Sequence, residues 1–429
     1  MKIAFYTLGC KVNQYETQAL EQLAVQHGHT LVPFDGEADA YVINTCTVTA
    51  VSDKKSRQVI RRSRNRTPDA VIAVCGCYPQ THPDDVEALG VDLIAGTGDR
   101  LHFLTLLEQE WNSRQPITAL DNALERRVFE QLPAGGLEGR TRAMLKIEDG
   151  CVNFCSYCII PYARGRVRSL PLEDCVRQAR ELVETGYQEI VLTGIEISSW
   201  GQDLDGQKSL IDVVEAICSA VPDSVRIRLG SLEPRTITEG FCQRAVKCTN
   251  LCPHFHLSMQ SGSDDVLRRM NRKYDTARYK KSVDLLNQFY DAPAITTDMI
   301  VGFPGETEEE FEESLHFIKE CSFASMHIFP YSKRPGTPAA KMSGQVLNAV
   351  KEKRAHRASE VANDMEKAFL RQFVGQREQV LFEELRDGMW RGYTTRYCEV
   401  WLESQENLHN VLCEVELIAQ VGSHLMGRL

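Results

Sequence analysis

Residues 150–158, Gly-Cys-Val-Asn-Phe-Cys-Ser-Tyr-Cys, hold three cysteines, Cys151, Cys155 and Cys158, in one short loop. A loop of this length can wrap and aim three thiolates at one small object. Three thiolates leave a metal site one ligand short, because a closed iron–sulfur cube usually takes four cysteines and a structural zinc takes four ligands. The next cysteine, Cys175, falls inside an amphipathic helical pattern, so no fourth ligand follows at a useful spacing. An iron with an open corner can bind a small molecule directly, and any fold this chain takes must leave that corner accessible. The alternatives are an incomplete zinc knuckle or three unrelated core thiols.

The 429 residues, 43% of them hydrophobic, are enough for two or three domains with ample core. No apolar run reaches the roughly 18 residues of a membrane span. The start, Met1-Lys2-Ile3-Ala4-Phe5-Tyr6, reads as a strand rather than a secretion signal. Fifteen cysteines in such a chain favour metal or redox chemistry in a reducing compartment, and a cytoplasmic location is expected. The formal net charge of −10 requires any nucleic-acid contact to be a local basic patch.

The first region, 1–130, alternates strand and helix patterns and is expected to be an open parallel α/β sheet. Strands are expected at 2–8, 40–43, 70–74 and 93–94. Asn13 suits a helix N-cap, with Glu16 as its capping-box partner. Cys10, Cys46 and Cys77 follow three of these strands, and parallel strand ends converge on one crevice. Cys75 competes with Cys77, but Gly76 gives the backbone freedom to turn the Cys77 thiol toward the crevice. The helix after Cys46 carries Lys54, Lys55, Arg57, Arg61, Arg62, Arg64 and Arg66, and is expected to meet phosphates. Residues 109–142, with Pro116, Pro133 and Gly135-Gly136, read as a linker.

The second region, 137–370, repeats strand and helix about six times, as a partial parallel barrel would. Barrel chemistry sits at the carboxyl ends of strands. There the sequence places Thr193-Gly194, Ser231 and Glu233, Gln260, and Gly302-Phe303-Pro304-Gly305. Gly194 admits close backbone approach to an amino group, Ser231 and Glu233 can bond a ribose, and Gln260 can donate to a carboxylate. Arg272 can hold a carboxylate or phosphate. Arg164 and Arg166 form a basic segment after the cysteine loop. The third region, 373–429, follows a long charged helix and holds several short strands, suited to a small antiparallel barrel of the RNA-binding kind.

The three-cysteine loop, with Tyr157 before its last cysteine, resembles the radical-SAM signature, and the strand-end motifs follow in the same order. With the N-terminal trio and the small C-terminal barrel, the whole chain is similar to the radical-SAM methylthiotransferases. The stretches Thr7-Leu8-Gly9-Cys10-Lys11-Val12-Asn13-Gln14-Tyr15-Glu16-Thr17, Ile43-Asn44-Thr45-Cys46-Thr47-Val48-Thr49 and Tyr331-Ser332-Lys333-Arg334-Pro335-Gly336-Thr337-Pro338-Ala339 resemble the branch acting on N6-threonylcarbamoyladenosine beside the tRNA anticodon. The resemblance implies two 4Fe-4S clusters, one on Cys151, Cys155 and Cys158 and an auxiliary one on Cys10, Cys46 and Cys77. It implies S-adenosylmethionine held near Tyr157, Thr193, Gly194, Ser231, Glu233, Gln260 and Arg272, and tRNA met by Arg57, Arg61, Arg164, Arg166 and Arg334. It further implies an electron donor such as flavodoxin or ferredoxin, and a C-terminal TRAM or OB-like barrel. Related branches act on isopentenyladenosine or on a ribosomal-protein aspartate; the acidic C-terminal segment suits the latter. A non-catalytic iron–sulfur RNA sensor is the remaining reading.

Overall fold

The computed structural model describes residues 1–136 and 141–429. The first sheet has six parallel strands: β1 (Lys2–Thr7), β2 (Thr30–Leu31), β3 (Ala40–Thr45), β4 (Val71–Gly76), β5 (Leu93–Ala95) and β6 (Ile117–Ala119), in the order β2-β1-β3-β4-β5-β6. Strands β3 and β4 are buried along their whole length, as central strands covered on both faces must be. Alternation sends Val71, Ala73 and Cys75 into one apolar layer and Ile72 and Val74 into the other. The order reverses between β1 and β3, which opens a crevice beyond their carboxyl ends.

Two expectations change here. Asn13 is not the N-cap of the helix Lys11–Gln26; Cys10 holds that position. Asn13 instead donates to the carbonyls of Leu8 (2.8 Å) and Thr45 (3.0 Å), tying two strand-end loops together. The stretch expected to be a linker begins inside the helix Arg100–Ser113 and supplies β6, an edge strand short enough to leave little pattern. The rest of that stretch includes residues 137–140, which lie outside the described residues, as does the expected domain start at 137.

The second sheet system begins with β7 (Arg142–Lys146). The ribbon of β8 (Glu148–Asp149) and β9 (Arg168–Ser169) then brackets the three-cysteine loop. Next come β10 (Glu189–Thr193), β11 (Arg226–Leu229), β12 (Ser231–Leu232), β13 (His254–Leu257), β14 (Ala294–Val301) and β15 (Ser325–Pro330). β7, β10 and β11 pair in parallel, as do β12 to β15, and only Gly230 separates β11 from β12. The two sheets thus run on as one open, partial parallel barrel, with helices such as Leu172–Glu184, Leu210–Ala220 and Glu308–Cys321 packed outside.

After the helix Asn348–Arg371 come β16 (Arg377–Arg386), β17 (Met389–Thr394), β18 (Glu399–Leu402), β19 (Leu412–Val421) and β20 (His424–Arg428), closed into a barrel. It is antiparallel except for the β18–β20 pair, which is parallel. Strand β20 was not expected, because its five residues end the chain with Gly427 among them. The small barrel is docked by charge: Arg226 donates to the Tyr393 carbonyl (2.9 Å), Arg228 to that of Thr395 (2.8 Å), and Arg142 to the Glu383 carboxylate (2.9 Å) and the Tyr397 hydroxyl (2.6 Å).

The first domain meets the partial barrel through a buried ion network. Glu16, fully buried, receives Arg164 (2.6 Å), Lys146 (3.2 Å) and Arg100 (3.2 Å). Asp149 shares Lys146 (3.0 Å) and Arg164 (3.3 Å). Burial pushes the Glu16 carboxyl up, but Arg164, Lys146 and Arg100 together overcome this and hold it at about 2. Removing one member strands buried charge, so Glu16→Gln is expected to cost about 3–5 kcal/mol in chemical denaturation. Because the folded carboxyl titrates below its ordinary 4.5, its stabilisation is whole above that pH and is lost as pH falls toward 2. The wild type should therefore lose stability across that window more steeply than Glu16→Gln.

Candidate active site: two cysteine trios and an adjoining cavity

The N-terminal trio is built by the sheet. Cys10 follows β1, Cys46 follows β3, and Cys77 begins the short helix Cys77–Thr81 after β4. These strands are neighbours, so the three thiols belong to one crevice mouth. Cys46 is close enough to Gly9 that a Cβ there would stand 3.2 Å from its Sγ. Gly76 has φ +103°, and a Cβ on it would meet the Thr45 carbonyl oxygen at 2.4 Å; only glycine turns the chain here. Thr45 Oγ1 donates to the Cys75 carbonyl (2.6 Å) and fixes that turn. Cys75 itself is wholly buried in the apolar layer under the sheet. Burial pushes the Cys77 thiol up to about 12, with the Arg164 guanidinium acting against it.

The second trio sits in a loop held from three sides. The Cys151 N–H donates to the Gly165 carbonyl (3.0 Å). Ser156 donates its N–H to the Met270 carbonyl (2.9 Å) and its hydroxyl to that of Arg269 (2.8 Å), and the Ala339 N–H donates to Ser156 O (2.8 Å). Gly150, with φ +92°, lies so close to Arg166 O that a Cβ would stand 1.9 Å from it. Arg272 reaches Cys155 Sγ at 3.2 Å while its Nε donates to the Tyr274 hydroxyl (2.9 Å). Tyr157 packs edge-on to Phe303, in the apolar group around Val266 and Met270.

Beside this loop lie the expected strand-end residues. Thr193 and Glu233 are buried, Gly194 and Gln260 are half-buried, and Ser231 is exposed. A Cβ on Gly194 would meet the Glu148 carboxylate at 2.8 Å. Gln260 has φ +68°, and its carbonyl accepts from the Ile300 N–H (2.9 Å). Glu233 is engaged by the Arg235 Nε (2.9 Å). Three residues escaped sequence reasoning. Glu148 is fully buried and accepts from the Glu196 N–H (2.7 Å); burial holds its carboxyl well above the ordinary range. Glu196 accepts from Asn153 Nδ2 (3.1 Å). The Asn153 signal was present, since a polar residue inside a cysteine loop is rarely idle; Glu148 carried none, being a charged residue in a strand.

The cations expected to meet RNA divide. Arg61 and Arg166 are exposed, as are Lys54 and Lys55. Arg57 is half-buried and donates to the Tyr78 hydroxyl (2.9 Å). Arg164 is corrected: it is fully buried in the ion network and donates to Asn13 Oδ1 (2.9 Å), out of reach of any substrate. Arg334 is corrected likewise: 2% exposed, it pairs with Asp53 (2.6 Å) and donates to Thr47 (2.6 Å), clamping the barrel to the loop after Cys46. Arg64 is tied to Asp92, and Arg62 and Arg66 to Asp35, so part of the basic helix is structural.

A cavity of about 790 Å³ lies where the three domains meet, and Cys10 is the one cysteine of the two trios that lines it. Cys10 and Lys11 of the first domain, Gly194, Ser231, His254, His256 and Asp298 of the partial barrel, and Tyr393 and Tyr397 of the small barrel all line it. Among the described residues no three side chains converge tightly enough to hold a single metal ion. A cube does not require that, since each of its cysteines binds a different iron. The donor sets fit such clusters: three thiols each, Val48 N–H on Cys46 Sγ (3.5 Å), Asn153 N–H on Cys151 Sγ (3.5 Å), and the Arg272 guanidinium on Cys155.

Fold and loop together define a radical-SAM enzyme. The model of the Radical SAM superfamily matches residues 145–318, and that of Uncharacterized protein family UPF0004 matches residues 2–96. The solved radical S-adenosylmethionine methyltransferase TsrM of Kitasatospora setae, crystallised with tryptophan and a SAM analog, superposes with TM-score 0.59 at 14% identity, covering 90% of this chain and 79% of that one; this likeness is one of fold. The chain is 43% identical to the Bacillus subtilis protein named threonylcarbamoyladenosine tRNA methylthiotransferase MtaB, over 97% of this chain and 93% of that one. It is 38% identical to the Thermotoga maritima protein of the same name, over 91% and 89%. It is 33% identical to the tRNA-2-methylthio-N(6)-dimethylallyladenosine synthase of Acetivibrio thermocellus, over 96% and 87%. The chain belongs to the radical-SAM methylthiotransferase family.

A hydrogen bond from a cation to a cluster thiolate favours the reduced, more negative state. Arg272→Met is therefore expected to move the potential of the cluster at Cys151, Cys155 and Cys158 to more negative values, measured by anaerobic redox titration followed by electron paramagnetic resonance.

Proposed function

We propose that this enzyme adds a methylthio group to C2 of N6-threonylcarbamoyladenosine beside the anticodon of tRNA, using two trios of cysteines for two 4Fe-4S clusters. The observation that carries this reading is the cavity onto which Cys10 of one trio and Gly194 and Ser231 of the strand ends open together. Identity of 43% to a threonylcarbamoyl enzyme against 33% to a dimethylallyl one supports the choice of substrate.

With its cluster and S-adenosylmethionine bound, the Cys151, Cys155 and Cys158 loop supplies the one-electron chemistry that an unactivated adenine C–H bond demands. The chain's own residues position and shield. Arg272 places positive charge against Cys155. Glu148, whose carboxyl burial holds well above the ordinary range, fixes the turn at Glu196 and packs so close to Gly194 that no side chain fits there. Thr193 ends the strand before Gly194, Glu233 follows Ser231, and Tyr157 packs on Phe303. Arg164 lies between the trios and offsets the charge that three thiolates at Cys10, Cys46 and Cys77 bring. Lys54, Lys55, Arg61 and Arg166 are the exposed cations for the RNA backbone.

Mass spectrometry of tRNA from cells with and without this enzyme tests the reading: the methylthio form of threonylcarbamoyladenosine should vanish in its absence, and its persistence would refute it. Cys151→Ala should abolish release of deoxyadenosine from S-adenosylmethionine, whereas Cys10→Ala should keep that release and lose methylthiolation. Equal loss of release in both variants would contradict the division of labour between the trios.

A further inference from the structure

Lys11 follows Cys10 and opens the helix Lys11–Gln26, at the end where backbone N–H groups point outward. Its side chain is exposed, and it lines both the main cavity and an adjoining one of about 510 Å³. Gln14, His254 and Tyr397 line both as well. Among the described residues no hydrogen bond or ion pair engages the Lys11 ammonium. The charges that act on it most strongly are Arg228, Arg142 and Glu189. Those arginines are already committed: Arg228 to Glu189 (2.7 and 3.0 Å), and Arg142 to Glu383 and Tyr397. Among those residues Lys11 is the cation left without a partner at this corner, while two carboxylates without an ion pair, Glu384 and Glu399, line the cavities farther along the small barrel. His254 adds a second, independent sign. It is only 7% exposed, borders both cavities, and its Nδ1 has no hydrogen-bond partner. A buried imidazole nitrogen left unmet costs stability unless a ligand meets it.

A surplus cation beside an unmet imidazole, in a cavity partly shut off from water, fits a ligand that brings one negative charge and further hydrogen-bonding groups. We propose that this corner is the subsite for the carboxylate of the threonylcarbamoyl substituent, with Lys11 pairing to it and His254 meeting its hydroxyl or urea group. The stacked rings of Tyr393 and Tyr397, 4.6 Å apart, form the adjoining wall. A dimethylallyl group offers neither charge nor hydrogen bonds, and would leave Lys11 and His254 unmet. The assignment rests on the function proposed above and deepens it, by naming the residue that reads the substituent.

The test uses the full chain, reconstituted anaerobically, and anticodon stem-loop RNAs that carry at one adenine the threonylcarbamoyl group, its methyl ester, or a dimethylallyl group. Fluorescence anisotropy gives Kd and turnover gives KM for each. The wild type should bind the free acid about tenfold or more tightly than the ester, as a charge-assisted contact predicts. In Lys11→Gln that ratio should fall close to one, and Lys11→Arg should restore most of it. The ester comparison in the wild type stands even if the Gln variant folds poorly. Equal affinity for acid and ester in the wild type, or a full preference kept by Lys11→Gln, would overturn the subsite. A wild type that modifies the dimethylallyl RNA and leaves the threonylcarbamoyl RNA untouched would overturn the function itself, and the subsite with it.

Discussion

Glu16 has no access to water, and three cations close on it from two domains. Arg100 comes from its own domain, and Lys146 and Arg164 come from the partial barrel. A carboxylate so placed is tolerable only while every cation stays, and each cation only while the carboxylate stays. The geometry of the two trios hangs on this mutual dependence. Arg164 ends the short helix after the three-cysteine loop and also bonds Asn13, which ties the loops carrying Cys10 and Cys46. One guanidinium thus registers one trio's loop against the other's. The Arg334–Asp53 pair adds a second fixed point on the far side of Cys46.

The charges of this acidic chain are sorted rather than averaged. In the small barrel, Arg396 is held by Glu378, and Arg428 by Glu416. These pairs engage only part of its acid, and the remaining excess of carboxylates leaves RNA contact to cations elsewhere in the molecule. Among the described residues, exposed cations without an ion pair lie instead on the helix Ala50–Arg66, at Lys54, Lys55 and Arg61, and after the cysteine loop, at Arg166.

Much of this was legible in the residues. The strand and helix periods marked the two α/β regions, and helices such as Leu172–Glu184 and Leu210–Ala220 were readable to the residue: apolar spacing sets both, Pro171 starts the first and a Ser209–Asp212 capping box the second. Gly76 pointed to Cys77 over Cys75, and alternation in β4 sends Cys75 into the apolar layer. Very short strands leave no period to read, and β6 on a sheet edge and β20 inside the closed barrel are both of that kind. The arginines misled for a different reason. A guanidinium looks the same in sequence whether it meets phosphate or a buried carboxylate, and the acids that claim Arg164 and Arg334 lie far off in the chain, at Glu16 and Asp53. Glu148 and Lys11 were likewise silent, because their meaning comes only from what the fold sets opposite them.

The small C-terminal barrel is more than an appendage to the partial barrel. Here Arg142, Arg226 and Arg228 spend their hydrogen bonds on its carbonyls and side chains, and its tyrosines face the same space as Cys10. Cutting the chain after its longest helix would not yield a smaller catalyst. It would take one side off the cavity, bare three guanidinium groups now covered, and open the space beside Cys10 to bulk solvent.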